Sequence, residues 1–219
     1  MNSAGNILQI KNIIFDFGGV IINISHQRVE KAFSDLGLEN FQEMFNQATQ
    51  SDLFRIFEKG EIGPDEFRNR IRNITGLTAT DADLNHAWNQ IIGSYPAQRI
   101  ELLKNIKDKY RIFLLSNTNI IHFDFYIPKF ELEFGFPLQS LFEKTYWSFD
   151  IGMRKPDLDP YLFVIRQNKS FDPAETLFID DSIQNIEVRK VGGLHALLLN
   201  EETEINELFN DNKLKINSV

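Results

Sequence analysis

Short apolar runs separated by helical patterns constrain the fold of this chain more than any other feature. The runs are residues 13–17, 111–115, 176–179 and 194–199. Their continuous apolar character is typical of strands that are buried on both faces. Helical patterns precede the later runs, for example at residues 100–106 and 158–167. This alternation predicts an α/β protein built on a parallel sheet.

Polar residues lie in or directly after three of these runs, where each predicted strand ends. Asp16 lies near the end of the first, Ser116 and Asn117 follow the second, and Asp180 and Asp181 follow the third. Each group has an ordinary structural explanation, such as a turn or a helix cap. Ligands of open parallel sheets, however, bind beyond the carboxyl ends of the strands. We therefore expect the three groups to converge at one edge of the sheet.

The segment between the first and second strands reads as an all-helical insert. Apolar residues from Val29 to Leu36 fall at i, i+3, i+4 and i+7, which is the spacing of an amphipathic helix. Thr80 and Asp83 are spaced as in a capping box. The phenylalanines recur at helical spacing and predict a core. The predicted domains are a core of residues 1–24 and 97–219 and an insert of residues 25–96.

Composition and charge exclude several classes of protein. A formal net charge of −8 disfavours a nucleic-acid partner. The lack of cysteine excludes disulfides, thiolate catalysis and zinc–thiolate sites. The start of the chain has no signal-peptide pattern, and no apolar run approaches the ~18 residues of a membrane-spanning helix. We therefore expect a cytoplasmic protein with no membrane partner, and a frayed polar tail from Asn210.

Four motifs occur in order along the chain. They are DFGGV at residues 16–20, LLSNTN at residues 114–119, GMRKPD at residues 152–157 and FIDDS at residues 178–182. This ordered set resembles the haloacid dehalogenase-like hydrolase superfamily. It is most similar to the branch that contains the glucose-1-phosphate phosphatases and the phosphatase domain of bifunctional epoxide hydrolases. The resemblance implies a Rossmann-like core flanked by helices, with a small helical cap inserted after the first strand.

The resemblance also implies a phosphatase. A carboxylate can attack a phosphoryl group and form an aspartyl-phosphate, which divides hydrolysis into two easier displacements. Asp16 is the expected nucleophile. Ser116 and the amide of Asn117 are expected to donate hydrogen bonds to the phosphoryl oxygens. Lys155, with an ordinary pKa of ~10.4, is expected to stay charged and to neutralise both the phosphate and Asp16.

A divalent cation is expected because the attack brings two anions together. Oxygen ligands favour Mg²⁺. The expected ligands are Asp16, the backbone carbonyl of Gly18, Asp181, and Asp180 either directly or through a water. The expected substrate is a small phosphorylated metabolite, and a sugar phosphate is favoured. His26 and Arg28, near the junction of core and cap, are weaker candidates for contact with it.

Gly18 departs from the pattern of the superfamily. Phosphatases of the superfamily usually carry a second acid at this position, which protonates the leaving oxygen and later activates water. General acid–base catalysis contributes ~10²–10⁴-fold to a rate. The glycine therefore implies slow turnover, an acid supplied by the cap, or a substrate with a good leaving group such as an anomeric sugar phosphate.

Two other functions stay open at this point. A 2-haloacid dehalogenase also uses an aspartate nucleophile without the second acid. It needs no metal, however, whereas Asp180 and Asp181 form an acidic pair suited to one. A catalytically silent binding or regulatory protein could share the same fold. The oligomeric state, monomer or homodimer, is equally open.

Overall fold

Five parallel strands form the central sheet of the part of the chain that the structure describes. The computed structural model describes residues 9–50, 52–187, 193–200 and 202–215. The strands are β1 (Asn12–Phe15), β2 (Arg111–Ser116), β3 (Lys144–Trp147), β4 (Thr176–Asp180) and β5 (His195–Leu198). They lie in the order β3-β2-β1-β4-β5. Phe15 of β1 is level with Leu114 on one side and with Ile179 on the other, so the three strands end within two residues of one another.

The sheet is buried on both faces, as the continuous apolar runs predicted. Alternate side chains of a strand point to opposite faces. Ile13 and Phe15 accordingly belong to one apolar cluster and Ile14 to another. All three are fully buried. The apolar run predicted a first strand that reached residue 17. The strand ends at Phe15 instead, because the chain turns after it.

A helical insert, defined here as α1 to α5, connects β1 to β2. Its helices are α1 (His26–Asp35), α2 (Phe41–Gln50), α3 (Leu53–Glu58), α4 (Pro64–Thr75) and α5 (Asp81–Asn89). Their apolar faces form a separate cluster that includes Val29, Phe57 and Phe67. The predicted capping box is present at the start of α5, where Thr80 and Asp83 bond to each other's backbone N–H.

The other helices of the described residues pack on the two faces of the sheet. They are α6 (Ala97–Ile106), α7 (Ile120–Phe134), α8 (Ser148–Ile151), α9 (Asp159–Gln167) and α10 (Ile183–Glu187). The sequence predicted α6 and α9 but not α7, whose apolar residues are less clearly confined to one face. Among the described residues, no helix has the length and apolar character needed to cross a membrane.

The prediction of a frayed tail from Asn210 was wrong for the described residues. Phe209–Asn210 (β6) pairs antiparallel with Lys213–Leu214 (β7). Asp211 and Asn212 connect them with φ values of 49° and 59°, which suits a tight hairpin turn. The apolar residue of each short strand is buried, so apolar burial holds this segment to the core.

Two linkers join the helical insert to the core, and they are hydrogen-bonded to each other. The N–H groups of Asn23, Gly93 and Ser25 donate to the carbonyls of Ser94, Asn23 and Ile91 at 3.0, 2.8 and 2.9 Å. A Cβ at Gly93 would overlap the Asn23 carbonyl, so glycine permits this close approach. We call these paired segments, residues 23–25 and 91–94, the linker ribbon.

Candidate active site

Asp16 lies at the carboxyl end of β1, where the buried strand turns. Its backbone N–H donates to the Ile179 carbonyl at 2.9 Å, and 8% of the residue is exposed. Gly19 follows with a φ of 72°, a left-handed conformation that favours glycine. A Cβ at Gly19 would overlap the Asp181 carboxylate. The glycine therefore lets the acidic turn after β4 lie directly against the loop after β1.

Lys155 joins two of the acidic residues. Its Nζ lies 2.6 Å from Oδ1 of Asp16 and 2.6 Å from Oδ2 of Asp180, and the residue is buried. Burial alone would lower the pKa of Lys155, but the charges of Asp16 and Asp180 outweigh it and hold that pKa above its usual value. The lysine is therefore a fixed positive charge between two carboxylates.

The ionisation of Asp16 reflects a crowded acidic site. Burial raises the pKa of Asp16 to about 7 against the attraction of Lys155, and repulsion from Asp180 and Asp181 adds to the increase. Partial burial of its carboxyl group, followed by the charge of Asp180, also raises the pKa of Asp181. One lysine therefore offsets the charge of three carboxylates only in part.

The three carboxylates fit a metal ion. Each of Asp16, Asp180 and Asp181 offers one oxygen, and these oxygens lie within 4.8 Å of one another. Carboxylate oxygens are hard ligands that suit Mg²⁺, and the uncompensated negative charge favours a divalent cation. The donor set therefore agrees with the metal predicted from the sequence. The Gly18 carbonyl as a further ligand stays a prediction.

Asp180 is surrounded by donors from the protein. Besides Lys155, the Asn185 Nδ2 donates to its two oxygens at 2.9 and 3.0 Å, and the Ser182 N–H donates to Oδ1 at 2.8 Å. Asp180 is fully buried whereas Asp181 is exposed, so Asp181 is the more accessible to a ligand. Sequence reasoning missed Asn185, although its place in the first turn after the acidic pair was a usable signal.

Ser116 and Asn117 lie at the end of β2 beside the same site. Ser116 is buried and lines the same cavity as Asp16 and Lys155. The Asn117 side chain is bonded to the backbone of Lys155: its Nδ2 donates to the carbonyl at 2.8 Å, and its Oδ1 accepts from the N–H at 2.9 Å. These two bonds position the loop that carries the lysine.

A cavity of about 530 Å³ lies between these core residues and the helical insert. Its polar floor is formed by the core residues Asp16, Ser116, Lys155 and Asp181. One wall is aromatic, because the Trp88 ring stacks on Phe54 and on His122 of α7, each with centroids 5.3 Å apart. A cavity of this volume suits a small organic ligand.

His122 is a cavity residue that sequence reasoning missed. Its Nδ1 lies 2.9 Å from Oδ1 of Asn89, which joins α7 to the end of α5. Burial lowers the pKa of His122 to about 3, so its imidazole is neutral near pH 7. It can form hydrogen bonds to a ligand but does not carry a positive charge.

The two residues proposed near the junction of core and cap have different positions. His26 lines the cavity. Arg28 is not among the residues that line it. Its guanidinium instead donates to the Gln90 side chain at 2.9 Å and to the Ile92 carbonyl at 3.4 Å. Arg28 therefore ties α1 to the end of the insert rather than facing a ligand.

Known proteins are similar to this chain in sequence and in overall fold. A D-ribitol-5-phosphate phosphatase of Bacteroides thetaiotaomicron is 33% identical over 188 residues, which are 85% of this chain and 90% of the relative. A solved HAD family enzyme from the same species, in complex with magnesium and inorganic phosphate, has a TM-score of 0.84 at 35% identity, covering 92% of this chain and 100% of that one. A predicted HAD-like family hydrolase of Porphyromonas gingivalis has a TM-score of 0.81 at 30% identity, covering 91% and 95%.

The family model for haloacid dehalogenase-like hydrolases matches residues 10–193, from the start of β1 to beyond the acidic turn. These likenesses confirm the fold class, the family and the enzyme class that the motifs predicted. The chain belongs to the haloacid dehalogenase-like hydrolase family.

Proposed function

We propose that this protein is a magnesium-dependent phosphatase of sugar or polyol phosphates that works through an aspartyl-phosphate on Asp16. The observation that carries the proposal is Lys155, bonded to Asp16 and Asp180 at the floor of the cavity. The cluster of three carboxylates favours a metal-dependent phosphatase over a dehalogenase that needs no metal. The named phosphatase, and the relative that binds magnesium and inorganic phosphate, support the same function.

In the proposed reaction, a carboxylate oxygen of Asp16 attacks phosphorus as the bond to the leaving oxygen breaks. Lys155 orients Asp16 and offsets the negative charge of the phosphoryl group. Ser116 and the amide of Asn117 donate hydrogen bonds to the phosphoryl oxygens. Water supplies a proton to the leaving oxygen, because Gly18 offers none. A second water then hydrolyses the acyl phosphate and restores Asp16.

Asp16, Asp180 and Asp181 are the residues that would hold Mg²⁺, with the carbonyl of Gly18. When bound, the ion would neutralise phosphoryl charge and orient one phosphoryl oxygen. The helical insert forms the roof of the cavity and serves as the cap, with domain boundaries at residues 25–96. A cap that closes over the ester excludes bulk water from the reaction. A cytoplasmic location also stays a prediction.

Phosphate release from a panel of sugar 1-phosphates, sugar 6-phosphates and polyol phosphates tests the proposed function. We expect release with Mg²⁺ and its loss when the metal is removed with a chelator. Chloride release from 2-chloropropionate without metal would instead show a dehalogenase. No release from any of these compounds would favour a silent binding protein.

Replacing Asp181 with Asn should weaken Mg²⁺ binding by about 10–100-fold or more. Replacing a residue that only supports a metal ligand already lowers metal affinity by this factor. The reason is that a charged ligand becomes a neutral one in the exposed part of the cluster. Titration calorimetry measures the affinity. Asp157→Asn is the matched control, since Asp157 is exposed and outside the cluster. Unchanged affinity in the Asp181 variant would show that the metal binds elsewhere.

The missing acid at Gly18 should make kcat/KM depend steeply on the pKa of the leaving group. Charge builds up on the departing oxygen when no acid protonates it, so aryl phosphates and sugar 1-phosphates should react faster than sugar 6-phosphates. Gly18→Asp should flatten this dependence, because the new acid should raise kcat/KM for poor leaving groups by up to ~10²-fold. A Cβ at Gly18 meets only ordinary contacts, the nearest at 3.4 Å to Ile24.

A series of aryl, sugar and polyol phosphates of graded leaving-group pKa provides the measurement. Polyol 5-phosphates belong in it because the named Bacteroides relative acts on one. A flat dependence in the natural protein would show that another residue already supplies the proton.

A further inference from the structure

Glu58, the last residue of α3, carries a carboxylate from the helical insert into the cavity. Its Oε2 accepts a hydrogen bond from Nε of Arg154 at 2.8 Å. The two side chains are 24% and 27% exposed. In the described residues Glu58 has no other hydrogen-bond or ion-pair partner, so its Oε1 is available to a ligand.

The position of Glu58 is fixed from both sides. Gly60, two residues later, has a φ of 68°, and a Cβ there would overlap the Phe149 carbonyl of α8. The end of α3 therefore packs directly on the core. Arg154, which directly precedes Lys155, bonds to Glu58 from the core side. Burial raises the pKa of Glu58, and the charge and hydrogen bond of Arg154, followed by the charge of Lys155, oppose that increase in part.

The protein leaves most of the acceptor capacity of this carboxylate unused. An ionised carboxylate can accept about four hydrogen bonds, and among the described residues Glu58 accepts one, from Arg154. Its neighbours on α3 that also line the cavity are Phe54 and Phe57, which cannot donate, and Arg55, whose guanidinium pairs with Asp52. Hydroxyl groups of a ligand are donors that fit this acceptor.

We propose that Glu58 is a specificity-determining residue that accepts a hydrogen bond from a hydroxyl of the leaving group. The phosphoryl group lies at Asp16 on the floor of the cavity, so the remainder of the ester extends towards the insert and Glu58. The cap then selects phosphates of polyhydroxylated alcohols over phosphates of simple alcohols. Arg154 is a positioning residue that holds the carboxylate. This inference rests on the proposed function.

The test compares ribitol 5-phosphate with pentyl phosphate, a primary ester of the same chain length without further hydroxyls. We expect Glu58→Gln to lower kcat/KM for ribitol 5-phosphate by about 10–100-fold, because the acceptor loses its charge and the one remaining amide oxygen would be shared with Arg154. The value for pentyl phosphate should change less than about threefold. Glu61→Gln is the matched control, because Glu61 is exposed, pairs with Lys59 and does not line the cavity.

An equal loss for both esters would overturn the inference, because a residue that only closes the cap or donates a proton affects every leaving group. If Glu58→Gln has no measurable turnover, calorimetric binding of the two esters in an Asp16→Asn background gives the same comparison. A natural protein that hydrolyses neither these esters nor the sugar-phosphate panel would contradict the proposed function itself. A natural protein that is active, with a selectivity unchanged in the variant, would contradict the role of Glu58 alone.

Discussion

Replacing Asp16 with Asn should abolish phosphate release, by more than about 10⁴-fold in kcat, because an amide cannot form the acyl phosphate. The fold should be unchanged. The new Oδ1 can still accept the hydrogen bond from Lys155, and one of three clustered negative charges is removed. Steady-state kinetics and circular dichroism measure the two effects.

Trapping tests the covalent step directly. Beryllium fluoride or a labelled substrate should modify Asp16 in the natural protein, and digestion followed by mass spectrometry locates the label. An active preparation that leaves Asp16 unmodified would contradict the covalent mechanism. Turnover by the Asn variant above the stated limit, after correction for deamidation, would do the same.

Replacing Lys155 with Met should cost both stability and activity. Met has a similar length but no charge, so two buried carboxylates lose their shared partner. Breaking a buried ion pair from one side typically costs about 3–5 kcal/mol of unfolding free energy. Urea denaturation without metal measures this loss. Turnover should also fall sharply, because neither Asp16 nor the phosphoryl group would be neutralised.

Lys144→Met is the matched control for this variant. Lys144 is exposed on the edge strand β3, with its Nζ 5.1 Å from the centre of the Tyr146 ring. Its replacement should change stability by less than about 1 kcal/mol. If Lys155→Met were as stable as this control, the lysine would not hold the acidic cluster together.

The sheet and the convergence of its polar ends could be predicted because both follow from local patterns. Buried parallel strands read as apolar runs, and in-register strands place Asp16, Ser116 and Asp180 at one edge. The edge strand β3 was missed because it has four residues and begins with two that are not buried. The helix α7 was missed because it is apolar on several faces and contains Pro128.

Other features of the site could not be predicted from the residues that neighbour them in the sequence. Glu58 and Arg154 are 96 residues apart, and their pairing follows from how the insert packs on the core. The contact between His122 and Asn89 spans the same boundary. A sequence motif shows which residues follow a strand. It does not show which side chains of the helical insert contact those residues in the folded protein.

The linker ribbon has a mechanical consequence for this enzyme. A single covalent connection would let the insert swivel about its own bonds, whereas two cross-bonded segments must bend together. The ribbon therefore restricts rotation of the insert relative to the core. With that rotation restricted, the aromatic wall and Glu58 keep one orientation across the cavity from Asp16. An ester whose alcohol does not fit between them would not bring its phosphorus to the nucleophile.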